Sequence, residues 1–151
     1  MKVVNLKTGI LEVERNKVLN EFVGYGSRMN KKRGFFFVSK VTGKNLPVKP
    51  SKMLNIYKRL AKLIPKSNEP TLFIGFAEAA TALGQGVFEE LNLSNSFYIH
   101  STRFKTSSKI LLSFMEEHSH APSHIFYEPK DKNLMYLLQT IKRVILIDDE
   151  I

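Results

Sequence analysis

Cysteine is absent from all 151 residues. That excludes disulfides and thiolate metal sites. No apolar run approaches the roughly 18 residues a membrane helix needs. The opening Met1-Lys2-Val3-Val4-Asn5 is too poor in apolar residues for a secretory signal. These absences agree with a cytoplasmic protein. No internal repeat, low-complexity segment or RNA-binding fingerprint occurs. The phosphate-binding pattern G-x-x-x-x-G-K-[ST] is also missing, because the glycine-rich stretch at 75–86 lacks the Lys-Ser/Thr pair.

Acids are few. Fourteen Asp and Glu face 23 Lys and Arg, for a net charge of +9. Such a basic surface attracts nucleic acids, membranes or phosphorylated small molecules. The densest basic run is Arg28-Met29-Asn30-Lys31-Lys32-Arg33, and the acids gather at Glu116-Glu117 and Asp148-Asp149-Glu150. The hydrophobic fraction of 43% and charged fraction of 25% are ordinary for a globular chain able to bury a core.

Along the chain, residues 1–20 predict a short β-hairpin turning at Thr8-Gly9, and 24–34 a loop. Phe35-Phe36-Phe37 opens a core strand, and 41–49 is irregular around Gly43 and Pro47. Ser51 suits the N-cap of a helix to Ile64, ended by Pro65. Strands follow at 71–75, 97–100, 123–128 and 144–147, with helices at 79–91 and 132–142. The segment 110–115 reads as one arm of a hairpin. Strand and helix alternate from residue 35, which argues for an α/β fold with a largely parallel sheet. The strands at 71–75, 97–100 and 144–147 are expected to be parallel neighbours.

The final eight residues are V-I-L-I-D-D-E-I. Four apolar residues suit a strand buried on both faces. Three acids follow where that strand leaves the sheet, and in open α/β sheets ligands bind beyond the carboxyl ends of strands. Asp148 and Asp149 could there reach sugar hydroxyls or the water shell of Mg²⁺. Rival strings exist in nucleotide hydrolases and in response-regulator receivers. The first needs the missing glycine-lysine loop, and in the second the acidic strand opens the domain. A solvated strand end is the plain alternative.

The segment at 71–91, T-L-F-I-G-F-A-E-A-A-T-A-L-G-Q-G-V-F-E-E-L, runs from a buried strand through a tight turn into a helix rich in small residues. Helix N-termini with close backbone access bind anions, although small residues also serve close helix–sheet packing. His118, His120 and His124 form H-x-H-x₃-H beside two glutamates. A metal site, a contact to a substrate base and plain surface histidines all remain open. The phenylalanine strand reads as core, with only a faint hint of the aromatic–basic interleaving of nucleic-acid binders, so nucleic acid is not an expected partner.

Taken in order, these motifs resemble the type I phosphoribosyltransferases. The apolar–acidic strand end resembles that family's signature, and the 75–78 turn is similar to its pyrophosphate turn. The strings at 26–44, 75–86 and 118–124 resemble a branch of orotate-phosphoribosyltransferase-like proteins found in bacterial tellurite-resistance gene clusters. The resemblance covers residues 22–151. It implies a phosphoribosyltransferase-like α/β core at 35–151 behind an N-terminal β hood at 1–34. It implies transfer of a phosphoribosyl group between phosphoribosyl pyrophosphate (PRPP) and a nitrogenous base, with Mg²⁺ as cofactor. Asp148, Asp149 and Glu150 would be the catalytic acids, with Asp148 and Asp149 facing the metal. Gly75, Phe76, Ala77, Glu78, Arg103, Lys105 and Lys109 would hold PRPP or pyrophosphate, and His118 and His120 are the candidates for a base contact. The partners implied are a phosphorylated sugar and a base, and a homo-oligomer is compatible. The family pattern continues with a Thr-Gly phosphate loop, so a shortened, inactive or weakly active fragment is expected. The alternative is a non-catalytic nucleotide- or PRPP-binding regulator on the same fold.

Overall fold

The structure is a computed structural model that describes residues 1–30, 33–115 and 123–149. The chain forms two compact units, Met1–Met53 and Leu54–Asp149. The phenylalanine strand pairs within the first of them.

In that unit β1 (Lys2–Leu6) and β2 (Gly9–Val13) form the expected hairpin, antiparallel with Leu6 opposite Gly9. Gly9 sits at φ +136, a backbone region that L side chains rarely adopt, so glycine suits the turn. A short helix, α1 (Lys17–Phe22), follows. Asn16 caps it by accepting from the N–H groups of Val18 and Leu19. The expectation of a loop over 24–34 is corrected in its first part. β3 (Val23–Ser27) pairs antiparallel with β4 (Phe35–Ser39). Gly26 is there for space: a Cβ on it would lie 2.5 Å from the Phe36 ring.

Helix α2 (Pro50–Leu63) straddles the boundary between the units and begins on proline, whose missing N–H costs nothing at a first turn. In the second unit β5 (Thr71–Gly75) lies between β6 (Ser96–His100) and β9 (Arg143–Ile147), parallel to both. The three strands expected to be parallel neighbours are so. Helix α3 (Ala79–Leu91) packs on the sheet face that carries Phe73, Tyr98 and Ile147. Phe73 is fully buried there, edge-on to Phe88 at 5.5 Å. Small residues let α3 approach closely: a Cβ on Gly75 would lie 2.7 Å from the Ala80 carbonyl oxygen.

β9 departs from expectation. Ile147 is buried, but Val144 and Leu146 are 50% and 55% exposed. Alternate side chains point to opposite faces, and these two point away from α3 on a strand that flanks the sheet. The arm at 110–115 is β7 (Ile110–Met115), antiparallel to β8 (Ser123–Tyr127) and outside the parallel sheet. A bridge between Thr102 and Ile125 ties β8 to the chain leaving β6. Helix α4 (Lys132–Thr140), capped by Asp131, stops before 142, where the N–H groups of Lys142 and Arg143 donate to the Pro70 carbonyl.

Candidate functional site

β5, β6 and β9 end level. Gly75 is opposite His100 on one side and Ile147 on the other. The turn Gly75-Phe76-Ala77-Glu78 therefore leaves the sheet beside the start of Asp148-Asp149, in spite of the sequence distance between them. The Phe76 N–H donates to the Ile147 carbonyl at 3.2 Å, one residue before the acid pair.

The turn is held from the β6 side as well. The N–H of Ser101 donates to the Gly75 carbonyl at 3.0 Å, and Ser101 Oγ accepts from the Ala77 N–H at 2.8 Å. Arg103 Nη2 donates to the Ala77 carbonyl at 3.0 Å. The Ala77–Glu78 peptide bond is cis. Behind Ser101 lies His124, whose Nδ1 is 2.8 Å from Ser101 Oγ. Both residues are buried, Ser101 at 1% and His124 at 3% exposure. The His124 ring stacks on Phe114 at 4.9 Å and meets Phe76 edge-on at 5.5 Å.

These bonds decide which backbone donors remain. The N–H groups of Phe76 and Ala77 are taken by the scaffold. Those of Glu78, Ala79 and Ala80 have no partner among the described residues, and α3 has no side-chain cap. Glu78 is exposed and Ala79 half-buried, so two of these donors are open at the positive end of a 13-residue helix and suit an anion, whereas Ala80 is fully buried. Arg103 adds a fixed positive charge nearby; its Nη1 is buried without a hydrogen-bond partner. The Tyr98 phenol underpins the helix start by donating to the Thr81 carbonyl at 2.7 Å. Burial pushes its pKa up to about 12, against a smaller opposing effect of a backbone hydrogen bond.

The other anticipated residues fall less closely together. Asp148 is half-buried and Asp149 exposed, and the Asp149 N–H donates to Asp148 Oδ1 at 2.8 Å. Glu78 and Lys105 are exposed. Lys109 forms an exposed ion pair with Glu128 at 2.8 Å on the β7–β8 hairpin. Glu150, His118 and His120 lie outside the described residues. Among those described, no group of three or more His, Asp or Glu is arranged as a metal cage. Beside the acids, a groove lined by Leu60, Leu63, Leu83 and Val87 is apolar and offers phosphates no donors. Sequence reasoning missed Ser101, which looked like an ordinary loop residue. His124, in the strand expected at 123–128 but given no role of its own there, is buried in β8.

The phosphoribosyl transferase family model matches residues 22–151, and the chain belongs to that family. No protein among the curated sequences matches it. The fold is similar to the crystal structure of adenine phosphoribosyl transferase from Trypanosoma brucei, in complex with AMP, pyrophosphate and ribose-5-phosphate. The TM-score is 0.51 at 19% identity, over 99% of this chain. The chain spans 62% of the length of that protein.

Proposed function

We propose that this member of the phosphoribosyl transferase family binds PRPP at the carboxyl edge of β5 and β9, and that the site serves phosphoribosyl transfer to or from a nitrogenous base. One observation carries the reading. The clamped turn at 75–78, with its open donors, sits on the strand next to the one that ends in Asp148-Asp149. In the transfer a base nitrogen bonds to C1 of the sugar while the C1–oxygen bond breaks, and pyrophosphate leaves with that electron pair. The sugar becomes cationic as the bond loosens. Catalysis then rests on positioning and on fixed charge.

In this reading the N–H groups of Glu78 and Ala79 bind pyrophosphate oxygens. Arg103 fixes the turn and contributes positive charge, and Lys105 and Lys109 add exposed cations. Asp148 and Asp149 bind the ribose hydroxyls. Glu150 steers the base, with His118 and His120 as base contacts. Two adjacent carboxylates fit a Mg²⁺ that arrives with phosphates and keeps its waters, and do not by themselves make a cage. When bound there, the ion would supply positive charge beside the leaving pyrophosphate. The crystallographic neighbour's AMP, pyrophosphate and ribose-5-phosphate are the ligand chemistry this site would take.

The test is a pyrophosphate-release assay with PRPP, Mg²⁺ and a panel of purine and pyrimidine bases, beside a calorimetric titration of Mg²⁺–PRPP. Turnover with one base, lost in the double variant Asp148→Asn, Asp149→Asn, is the expected result. The double variant should also bind Mg²⁺–PRPP at least about tenfold more weakly, as expected for losing hydrogen bonds to charged groups. Saturable binding without release of pyrophosphate would favour a regulatory binder. No binding by the parent chain would overturn the proposal.

A further inference from the structure

The net charge is not shared between the two units. Residues 1–53 hold 12 of the 23 Lys and Arg but only 3 of the 14 acids. The remaining residues hold 11 of each, so the whole excess of +9 lies in the N-terminal unit. That unit also shows π-surface beside its charge. Phe35 and Phe37 alternate along β4 and so project to one face, and Tyr25 is the cross-strand partner of Phe37. The rings lie close together, Tyr25 to Phe37 at 5.8 Å and Phe35 to Phe37 at 5.7 Å. The Arg33 guanidinium lies 5.3 Å from the Phe35 ring centre and 5.8 Å from that of Phe37. Phe37 is 42% exposed, so this row is not a closed core. Its neighbour Phe36 points to the opposite face, into the space left by Gly26.

We propose that the N-terminal unit binds single-stranded nucleic acid on the Tyr25–Arg33–Phe35–Phe37 face. Bases stack on accessible rings and on guanidinium planes, and an excess of cations tracks the phosphates. A duplex hides its base faces, so it engages the charge but not the rings. An anionic membrane would engage the same charge, but amphipathic membrane-surface helices present an apolar helical face, and this is a pair of strands with a cation beside its rings. The site is independent of the transferase reading, since it uses no residue beyond position 53.

The chain contains no tryptophan. Phe37→Trp therefore installs the chain's single tryptophan on the face, excited apart from its five tyrosines. The experiment titrates the full chain and its variants with homopyrimidine oligonucleotides, the matching duplex, and phosphatidylcholine vesicles with and without phosphatidylserine. The single strand should bind more tightly than the duplex and should quench the Phe37→Trp emission. Phe37→Ala should weaken single-strand binding about tenfold, within the range for loss of one stacked base. Arg33→Gln should lower the slope of log affinity against log salt by about 0.7. Circular dichroism and the melting temperature of each variant report whether the fold survives, and Phe37→Tyr, which keeps the ring, should retain affinity. Equal binding by Phe37→Ala and the parent, no quenching, a duplex bound as tightly as the strand, or binding to anionic vesicles alone would each overturn the proposal.

Discussion

Ser101 Oγ accepts the Ala77 N–H and sits 2.8 Å from His124 Nδ1, all inside the fold. Ser101→Ala leaves both buried groups short of a partner, at about 1–3 kcal/mol each. Urea denaturation should show the midpoint falling with the slope unchanged. His124→Phe keeps an aromatic ring against Phe114 but loses the hydrogen bond, so it should reproduce much of that loss. Tyr98 makes a pH-dependent case. Its folded pKa is raised above the ordinary 10.0 to about 12, so the folded chain holds the proton more tightly than the unfolded one. Stability is then fully present below pH 10 and is lost as pH rises towards 12. Melting temperature should fall across that window in the parent chain, and Tyr98→Phe should remove this part of the fall.

At the scale of elements, core and exposed apolar residues should respond differently. Phe73 on β5 is completely buried against Phe88, so Phe73→Ala should cost about 3–5 kcal/mol. Leu112 on β7 is 56% exposed, so Leu112→Thr should stay within about 0.5 kcal/mol of the parent. Equal losses for the two would mean that β7 is covered in solution. The contrast also explains what was legible in the sequence. β5 and α3 match their expected limits because a short apolar run, a glycine turn and a helical run of small residues all agree locally. β3 is hidden because Gly24 and Gly26 read as a loop, and the use of Gly26, room for the Phe36 ring, exists only once the strands pair. The apolar run of β9 announced a strand but not its exposed face, since exposure depends on which neighbours cover it. For the site, the acid pair, the turn and Arg103 could be picked out by residue type. Ser101 could not, because a buried serine and a solvated one look alike in sequence.

The whole molecule joins a charge-balanced α/β unit to a strongly basic N-terminal one. Among the described residues no helix is long and apolar enough to cross a membrane. The field of the basic unit should speed the approach of any polyanion and should weaken steeply with salt. The central claim concerns the edge of the parallel sheet, where the free backbone donors of the turn and the acid pair form one site for a phosphorylated sugar. Backbone amide NMR of the labelled chain during titration with Mg²⁺–PRPP tests this most directly. The account predicts saturable shifts at Glu78, Ala79, Asp148 and Asp149, with Ala77 little changed because Ser101 already holds its N–H. Shifts confined to other residues, or no saturable shift at these four, would contradict it.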